Sequence, residues 1–147
     1  MAAFDAQRDL TDASLLARAM TFIATRSTCR NQAFNVNNGD VVRWRDLWPG
    51  IAAHFGIAAG GARPFSLNEW ARDKQPVWAD IVRRYGLAET RLDQVADWAF
   101  ADFHWSHGYD VVSDPAKLHA DGFPEAIDSG KMLLVHLQRY RDAKILP

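Results

Sequence analysis

Two histidines and an acid lie close together in the sequence, in His104-Trp-Ser-His107 and at Asp110. If this stretch is helical, a spacing of three residues places both imidazoles on one face, and that spacing can bind a metal ion. A zinc site needs a third or fourth convergent ligand, and nothing in the sequence positions the remaining histidines to supply one. We therefore expect no metal site and interpret His104 and His107 as histidines at the edge of a pocket or in solvent.

A second pattern that could carry chemistry is Tyr140-Arg-Asp-Ala-Lys144. A lysine four residues after a tyrosine can favour the ionised phenol, so that the tyrosine passes a proton to a carbonyl oxygen. Here the pair lies next to the end of the sequence and no nucleotide-binding strand precedes it, so we interpret the spacing as coincidental. The sequence offers no nucleophile with an adjacent base and no paired carboxylates in an apolar context. We expect no catalytic residue in this chain.

The stretch from Trp98 to Trp105 is dense in aromatic residues. Helical spacing divides its side chains into two apolar faces. One face contains Ala96, Phe100, Phe103 and His107, with His104 at its edge, and the other contains Trp98, Asp102 and Trp105. A surface helix usually needs only one apolar face for its own core. The second face is either core of this domain too, or it is buried by another domain, a partner chain or a ligand.

Composition and charge exclude several classes of protein. The chain has 147 residues, 48% of them hydrophobic, which suits one domain with its own core. Its formal net charge is −1, from 17 basic and 18 acidic side chains, so we expect no nucleic-acid partner. The first residues lack the apolar core of a signal peptide, and no run reaches the roughly 18 apolar residues of a membrane span. Because Cys29 is the only cysteine, we expect a cytoplasmic protein without disulfides or a membrane partner.

Capping residues and apolar spacing predict a mostly helical chain with two or three short strands. The predicted helices cover approximately residues 12–26, 43–55, 66–74, 77–85, 90–106, 115–121 and 131–143. Pro49 lies inside the second of them, where we expect a kink or a separate first turn. The loop at residues 58–64 contains two adjacent glycines, but their spacing matches neither a dinucleotide-binding nor a phosphate-binding loop.

The segment Gln32-Ala-Phe-Asn-Val36 favours an extended conformation and runs into a polar turn at Asn37-Asn-Gly39. A single strand of this length is not stable alone. Either it pairs with the extended piece Tyr109-Asp-Val-Val112, or it belongs to a sheet that lies outside this chain.

Four separated motifs resemble one known family. They are Phe34-Asn-Val-Asn-Asn-Gly-Asp-Val-Val-Arg-Trp-Arg-Asp-Leu-Trp48, Asp73-Lys-Gln-Pro-Val-Trp78, Trp98-Ala-Phe-Ala-Asp-Phe103 and Lys144-Ile-Leu-Pro147. In this order they resemble the C-terminal part of the progesterone 5-beta-reductase/iridoid synthase-like (PRISE) branch of the extended short-chain dehydrogenases/reductases. The resemblance extends from about Leu10 to the last residue, so we treat residues 1–147 as a single substrate-binding domain.

The resemblance implies a Rossmann-type NADP(H) domain followed by a substrate-binding region, with hydride delivered to a carbon-carbon double bond conjugated to a carbonyl. The family's glycine-rich cofactor loop and its catalytic tyrosine and lysine lie upstream of the segment seen here. The resemblance therefore implies no cofactor site in this chain, although the intact family uses NADP, and it implies that the isolated chain is inactive. It makes the Phe34 segment a strand of the parallel dinucleotide-binding sheet.

The family's pocket-lining helix matches the aromatic stretch. This match implies that the residues in contact with substrate are Phe100, Phe103, His104, His107 and Asp110. Two histidines where relatives are usually apolar make the implied pocket more polar, so the substrate need not be a steroid or a terpenoid.

Two functions remain open. The chain is the substrate-binding portion of an NADP(H)-dependent enone or carbonyl reductase, or it is a stand-alone small-molecule binding or protein-interaction domain without catalysis. In both cases two exposed phenylalanines forgo roughly 3–6 kcal/mol of burial. We therefore expect that the chain associates with itself or with a nucleotide-binding partner segment, or is marginally stable.

Overall fold

The computed structural model describes residues 3–88 and 90–147, and this part of the chain forms short and medium α-helices joined by turns and extended segments. The helices are α1 (Ala13–Thr25), α2 (Trp44–His54), α3 (Leu67–Ala71), α4 (Gln75–Tyr85), α5 (Leu92–Val95), α6 (Trp98–Ser106), α7 (Ala116–Ala120) and α8 (Ser129–Asp142). A 3-10 turn at Ser27–Cys29 follows α1. The predicted mostly helical class is confirmed. Within the described residues, no helix is long and apolar enough to cross a membrane.

Short polar side chains define where the helices begin. The carboxylate of Asp12 accepts the N–H groups of residues 14 and 15 at the start of α1, and Asp128 accepts that of Lys131 at the start of α8. These caps satisfy backbone donors that have no partner inside the helix. Gly86, with φ +63°, ends α4 in the left-handed conformation that glycine tolerates best. The start of α1 and the end of α4 agree with the predicted boundaries, and α8 begins two residues before its predicted start.

The second helix is continuous through Pro49, so the predicted separation of its first turn is wrong. Proline removes one hydrogen bond from the helix. The first turn of α2 is held from outside instead, because the N–H of Arg45 donates to the carbonyl of Phe4 at 3.1 Å. The guanidinium of Arg43 also donates to the carbonyl of Asp5 at 3.1 Å.

The predicted single helix over residues 90–106 is divided into α5 and α6. Ala96 between them is extended, with φ −154° and ψ 150°, and the Asp97 carboxylate accepts the N–H of Phe100 at 2.8 Å to start a new helix. The indole N–H of Trp98 then donates to the carbonyl of Leu92 at 3.2 Å, which ties the start of α6 to the start of α5. The sequence pattern predicted that Ala96 and Phe100 share a helical face. This prediction is wrong, because Ala96 lies between the two helices.

Two hydrophobic clusters form the core. The first is centred on α1 and α7 and contains Leu15, Ala19, Leu118 and Phe123, with Phe22, Ile23, Phe34, Val36 and Ile127 packed against them. The second joins α3, α4 and α5 and contains Ala71, Trp78, Leu87 and Leu92, with Ile81, Val82, Val95 and Trp98 at its edge. The start of α6 therefore belongs to the second cluster.

The predicted short strands are reduced to two isolated backbone bridges in the described residues. Arg8 pairs with Val42 in the antiparallel sense and with Val111 in the parallel sense. Of the two alternatives for residues 32–36, pairing with residues 109–112 is not found: Val111 pairs with Arg8, and no bridge joins the two segments in the described residues. The 32–36 segment has no regular secondary structure and is held by side chains: Thr11 donates to the carbonyl of Val36 at 3.0 Å, and Phe34 packs on the first cluster.

A buried polar network connects α8 to α1. Asn38 is fully buried, accepts the backbone N–H of Asp12 at 2.7 Å and donates to the hydroxyl of Ser129 at 2.9 Å. His136 Nε2 lies 3.0 Å from the second carboxylate oxygen of Asp12. The Ser14 hydroxyl first, and His136 next, hold the pKa of Asp12 well below its ordinary value. The ionised carboxylate of Asp12 therefore contributes to the contact between α1 and α8 in the folded protein.

Candidate functional site

The inward face of α6 packs against other helices of the chain, and its side chains Trp98, Asp102 and Trp105 are half-buried. The indole of Trp105 stacks on that of Trp44 with ring centroids 4.7 Å apart, and it meets Trp48 edge-on at 6.4 Å. At the other end of the helix, Trp98 lies 6.4 Å from Trp70. Aromatic pairs at these separations add to the free energy of area burial. The inward face is therefore the one that fixes α6 on α2 and α3.

Asp102 is the polar part of this inward face. Its carboxylate accepts the Ser66 hydroxyl at 2.6 Å and the backbone N–H groups of Leu67 at 2.6 Å and Asn68 at 3.1 Å. These donors, the Ser66 hydroxyl foremost, hold the pKa of Asp102 below its ordinary value. Ser66 and Glu69 have the spacing of a capping box. Ser66 does accept the N–H of Glu69, and Asp102 of α6 supplies the carboxylate at this helix start.

The outward face of α6 has an uncovered row of rings. We define the aromatic face by its side chains Phe100, Phe103, His104, His107 and Tyr109. Phe100 is 62% exposed, Phe103 63% and Tyr109 61%. The rings contact one another in sequence, with centroids 6.4 Å apart for Phe100 and Phe103 and 4.8 Å for Phe103 and His107. His104 lies 6.4 Å from Phe100, and Tyr109 lies 5.3 Å from His107. The predicted second face therefore exists and is not core of the described chain.

Arg8 holds the end of this row in place, and sequence reasoning missed it. The residue is only 6% exposed. Its guanidinium donates to the carbonyl of His107 at 2.6 Å, to that of Gln7 at 3.0 Å and to that of Tyr109. A buried guanidinium needs such partners to offset the loss of its hydration. No local pattern in the sequence indicates this contact, because the donor and the carbonyls on the row are 99 and 101 residues apart.

Asp110 also contacts the N-terminal segment that contains Arg8. Its Oδ1 accepts the backbone N–H of Gln7 at 2.7 Å, and the N–H of Val111 donates to the Gln7 carbonyl at 2.9 Å. Of the five residues that the resemblance assigned to substrate, the structure brings four together in one row of rings. It gives the fifth, Asp110, a hydrogen bond to the N-terminal segment beside that row.

The structure also locates the two patterns that could have carried chemistry. Within the described residues no group of three His, Cys, Asp or Glu side chains is arranged to hold a metal ion. Tyr140 is half-exposed near the end of α8, and Lys144 follows the helix with φ +58°. Both lie on the last turn and tail of α8 rather than on the row of rings.

Two shallow depressions lie beside the start of α6, away from the aromatic face. One is lined by Asn68, Trp98 and residues 93–97 and 99, and the other by Asn68, Ala71, Arg72, Gln75, Arg91, Leu92, Asp93 and Trp98. No ring of the aromatic face lines either depression. Small-molecule sites are usually concave. The aromatic face has the apolar and aromatic composition of one wall of such a site.

Comparison with known proteins gives a consistent result. No protein-family model matches the chain. An (S)-8-oxocitronellyl enol synthase of Camptotheca acuminata is 36% identical over 143 residues, which cover 95% of this chain and 36% of that protein. An (S)-8-oxocitronellyl enol synthase of Nepeta cataria is 34% identical, covering 99% of this chain and 38% of the relative. A short chain dehydrogenase of Penicillium aethiopicum is 32% identical, covering 95% and 41%.

The chain thus spans about two fifths or less of the length of these curated relatives, while nearly all of it is matched. The matched relatives carry names from the two groups that the sequence motifs resemble, iridoid-forming synthases and short-chain dehydrogenases. The chain belongs to the PRISE-like (progesterone 5-beta-reductase/iridoid synthase-like) branch of the short-chain dehydrogenases/reductases.

Proposed function

We propose that this chain is the substrate-binding portion of an NADP(H)-dependent reductase that acts on enone or carbonyl compounds. The observation that carries the proposal is the aromatic face, whose rings are exposed although the opposite side of the same helix is packed. In a member of this family, such a face suits the apolar part of a small substrate. The chain spans 36–41% of three of its relatives, and we propose that a nucleotide-binding segment outside it supplies NADP, the hydride and the catalytic residues.

The residues of this chain would then bind and orient rather than react. Phe100 and Phe103 provide apolar contact, and the imidazoles of His104 and His107 provide hydrogen-bond donors or acceptors for a carbonyl oxygen. Arg8 acts only through the backbone carbonyls that it holds, so it is a positioning residue. We propose that this chain contributes no catalytic residue and no cofactor-binding residue. We also propose that its ligand is a small molecule and that the protein is cytoplasmic.

A chimera tests this function. The chain replaces the matching segment of the Camptotheca relative, and NADPH oxidation is measured with cyclohex-2-enone as the probe. We expect turnover by the chimera, none by the isolated chain, and strong loss of turnover for Phe103→Glu in the chimera. Phe65→Glu is the matched control, because Phe65 is 57% exposed and lies before α3, outside the aromatic face. A folded chimera with no turnover would contradict the proposal.

The alternative function is a stand-alone small-molecule binding or interaction domain without catalysis. It is favoured by the fact that the chain covers only 36% of the length of the Camptotheca relative. It predicts that the isolated chain binds cyclohex-2-enone, which would shift the imidazole proton resonances of His104 and His107, while the chimera remains inactive. Tight binding of NADPH by the isolated chain would contradict both functions.

A further inference from the structure

The two histidines of the aromatic face have different surroundings. His107 is half-buried and lies between two rings, 4.8 Å from Phe103 with the ring planes inclined by 85°, and 5.3 Å from Tyr109 with an inclination of 73°. His104 is exposed and stacks on Phe100 at 6.4 Å. Rings on two sides restrict the imidazole of His107 more than a single stacking contact restricts that of His104.

The backbone of His107 is fixed as well. The chain leaves α6 at this residue, with φ −82° and ψ 107°. The carbonyl of His107 accepts the Arg8 guanidinium at 2.6 Å, and the same guanidinium donates to the carbonyl of Tyr109. Because a guanidinium presents its donors in a rigid planar fork, one side chain can hold two carbonyls in a set relation. Arg8 therefore fixes both His107 and the ring that follows it.

The imidazole of His107 has unused hydrogen-bonding capacity. Among residues 3–88 and 90–147, neither of its ring nitrogens has a hydrogen-bond partner, and both are accessible to a ligand. A neutral imidazole donates from one nitrogen and accepts at the other. A polar group in an apolar site discriminates against a ligand that covers it without pairing with it. His107 therefore suits an oxygen of the ligand rather than an apolar carbon.

The chemistry of enone reduction indicates which oxygen this is. The carbonyl oxygen of the reacting enone gains negative charge as the hydride arrives, so it must lie beside the groups that stabilise and protonate it. Those catalytic groups are proposed to lie outside this chain. The oxygen beside His107 is then a second one, carried by the part of the substrate that contacts Phe100 and Phe103.

We infer that His107 is the specificity-determining residue of this site, that it selects enones with a second oxygen, as a hydroxyl or a carbonyl, and that Arg8 is its positioning residue. This inference rests on the proposed function and adds to it the class of substrate and unequal roles for the two histidines. His107 binds the second oxygen by a hydrogen bond and transfers no proton. His104, which is exposed and stacks on Phe100, contributes less to selectivity.

A pair of substrates that differ in one group tests the inference. The chimera is assayed for NADPH oxidation with 4-hydroxycyclohex-2-enone and with 4-methylcyclohex-2-enone, which are similar in size. The quantity compared is the ratio of kcat/KM for the hydroxyl compound to that for the methyl compound, which does not depend on the fraction of folded enzyme. We expect a ratio above one, and we expect His107→Phe to lower it by about tenfold.

Two further substitutions to phenylalanine serve as comparisons. His104→Phe changes the second histidine of the face and should lower the ratio by about twofold or less. His119→Phe is the control outside the face, since His119 is exposed on α7, and it should leave the ratio unchanged. A ratio near one in the unmodified chimera, or an equal loss in His107→Phe and either comparison variant, would overturn the inference.

Arg8→Lys tests the positioning role. Lysine keeps the charge but replaces the planar fork with a single ammonium. We expect the ratio to fall in the same direction as for His107→Phe, with a rise in KM for the hydroxyl compound that exceeds the loss in kcat. An equal loss of kcat/KM for both compounds would show that Arg8 serves only the stability of the fold.

The isolated chain provides a test that does not require turnover. Addition of 4-hydroxycyclohex-2-enone should shift the imidazole proton resonances of His107 more than those of His104, with the two His→Phe variants used for assignment. Equal shifts, larger shifts at His104 or no shift would contradict the inference. A folded chimera without turnover contradicts the proposed function, whereas turnover with a ratio that His107→Phe does not change contradicts the inference alone, so the two failures are distinguishable.

Discussion

The two faces of α6 have similar amino-acid types but different surroundings. The inward face, defined by Trp98, Asp102 and Trp105, contacts side chains and backbone from α2, α3 and α5. In the outward row the rings contact one another, from Phe100 to Tyr109, and three of them are about three-fifths exposed. An apolar residue therefore stabilises this fold only where the chain returns to meet it. The inward face supplies free energy of folding, and the outward face leaves its apolar area exposed.

Removal of the inward ring system should have the largest effect on stability. Trp105→Ala deletes the stack on Trp44 and the edge contact with Trp48. We expect the free energy of unfolding to fall by about 2–3 kcal/mol, below the full cost of a buried tryptophan because Trp105 is only half-buried. Urea denaturation followed by circular dichroism measures the change. A loss of unfolding free energy no larger than that caused by Phe100→Ala would show that the two faces contribute equally to stability.

Removal of the inward charge should have a smaller, pH-dependent effect. Asp102→Asn keeps the shape but weakens the cap that Asp102 provides to α3. We expect the melting temperature at neutral pH to fall by about 3–6 °C. Because the folded-state pKa of Asp102 is lowered, its contribution is complete above the ordinary Asp pKa and is lost as pH falls through the folded value.

The difference in melting temperature between the unmodified chain and Asp102→Asn should therefore shrink below about pH 3.8. Asp80→Asn is the control, since Asp80 is exposed and forms a surface ion pair with Arg83 on α4. It should change the melting temperature little at any pH. A difference for Asp102→Asn that stays constant down to acidic pH would exclude the charged cap as its cause.

Truncation on the outward face should have the smallest effect. Phe100→Ala removes a ring that is 62% exposed and that contacts Phe103 and His104 in the row. We expect the free energy of unfolding to change by about 0.5 kcal/mol or less. Urea denaturation at micromolar concentration measures it. A cost close to that of Trp105→Ala would mean that the row is core after all.

The sequence predicts the features of this fold that depend on local chemistry. The caps at Asp12 and Asp128 and the stop at Gly86 follow from residue type and neighbouring spacing alone. The continuity of α2 through Pro49 does not, because it depends on Phe4 and Asp5, which are far away in the sequence. The break at Ala96 had a local signal in Asp97, a good capping residue, but a continuous apolar pattern across the break concealed it.

In the candidate site, too, the sequence predicts local features but not contacts between distant residues. Helical spacing predicts that Phe100, Phe103 and His107 share a face, and the contacts between their rings confirm this. It does not predict which of the two faces is uncovered, because that depends on where Trp44 and Ser66 lie in space. Helical spacing also does not predict the contacts of Arg8, because Arg8 and His107 are 99 residues apart in the sequence.

The position of Arg8 also sets the order in which the protein can be completed during synthesis. The partners of residues 7–9, at Val111 and at the end of α6, are synthesised about a hundred residues after them. Until then the guanidinium is hydrated and the end of the row of rings is unfixed. Contacts between residues so distant in sequence form slowly, because a long loop must close first. The core around Leu15 waits as well, since Leu118 and Phe123 are synthesised later still, so neither α1 nor the end of the row of rings reaches its final contacts until α6 and the segment after it have been made.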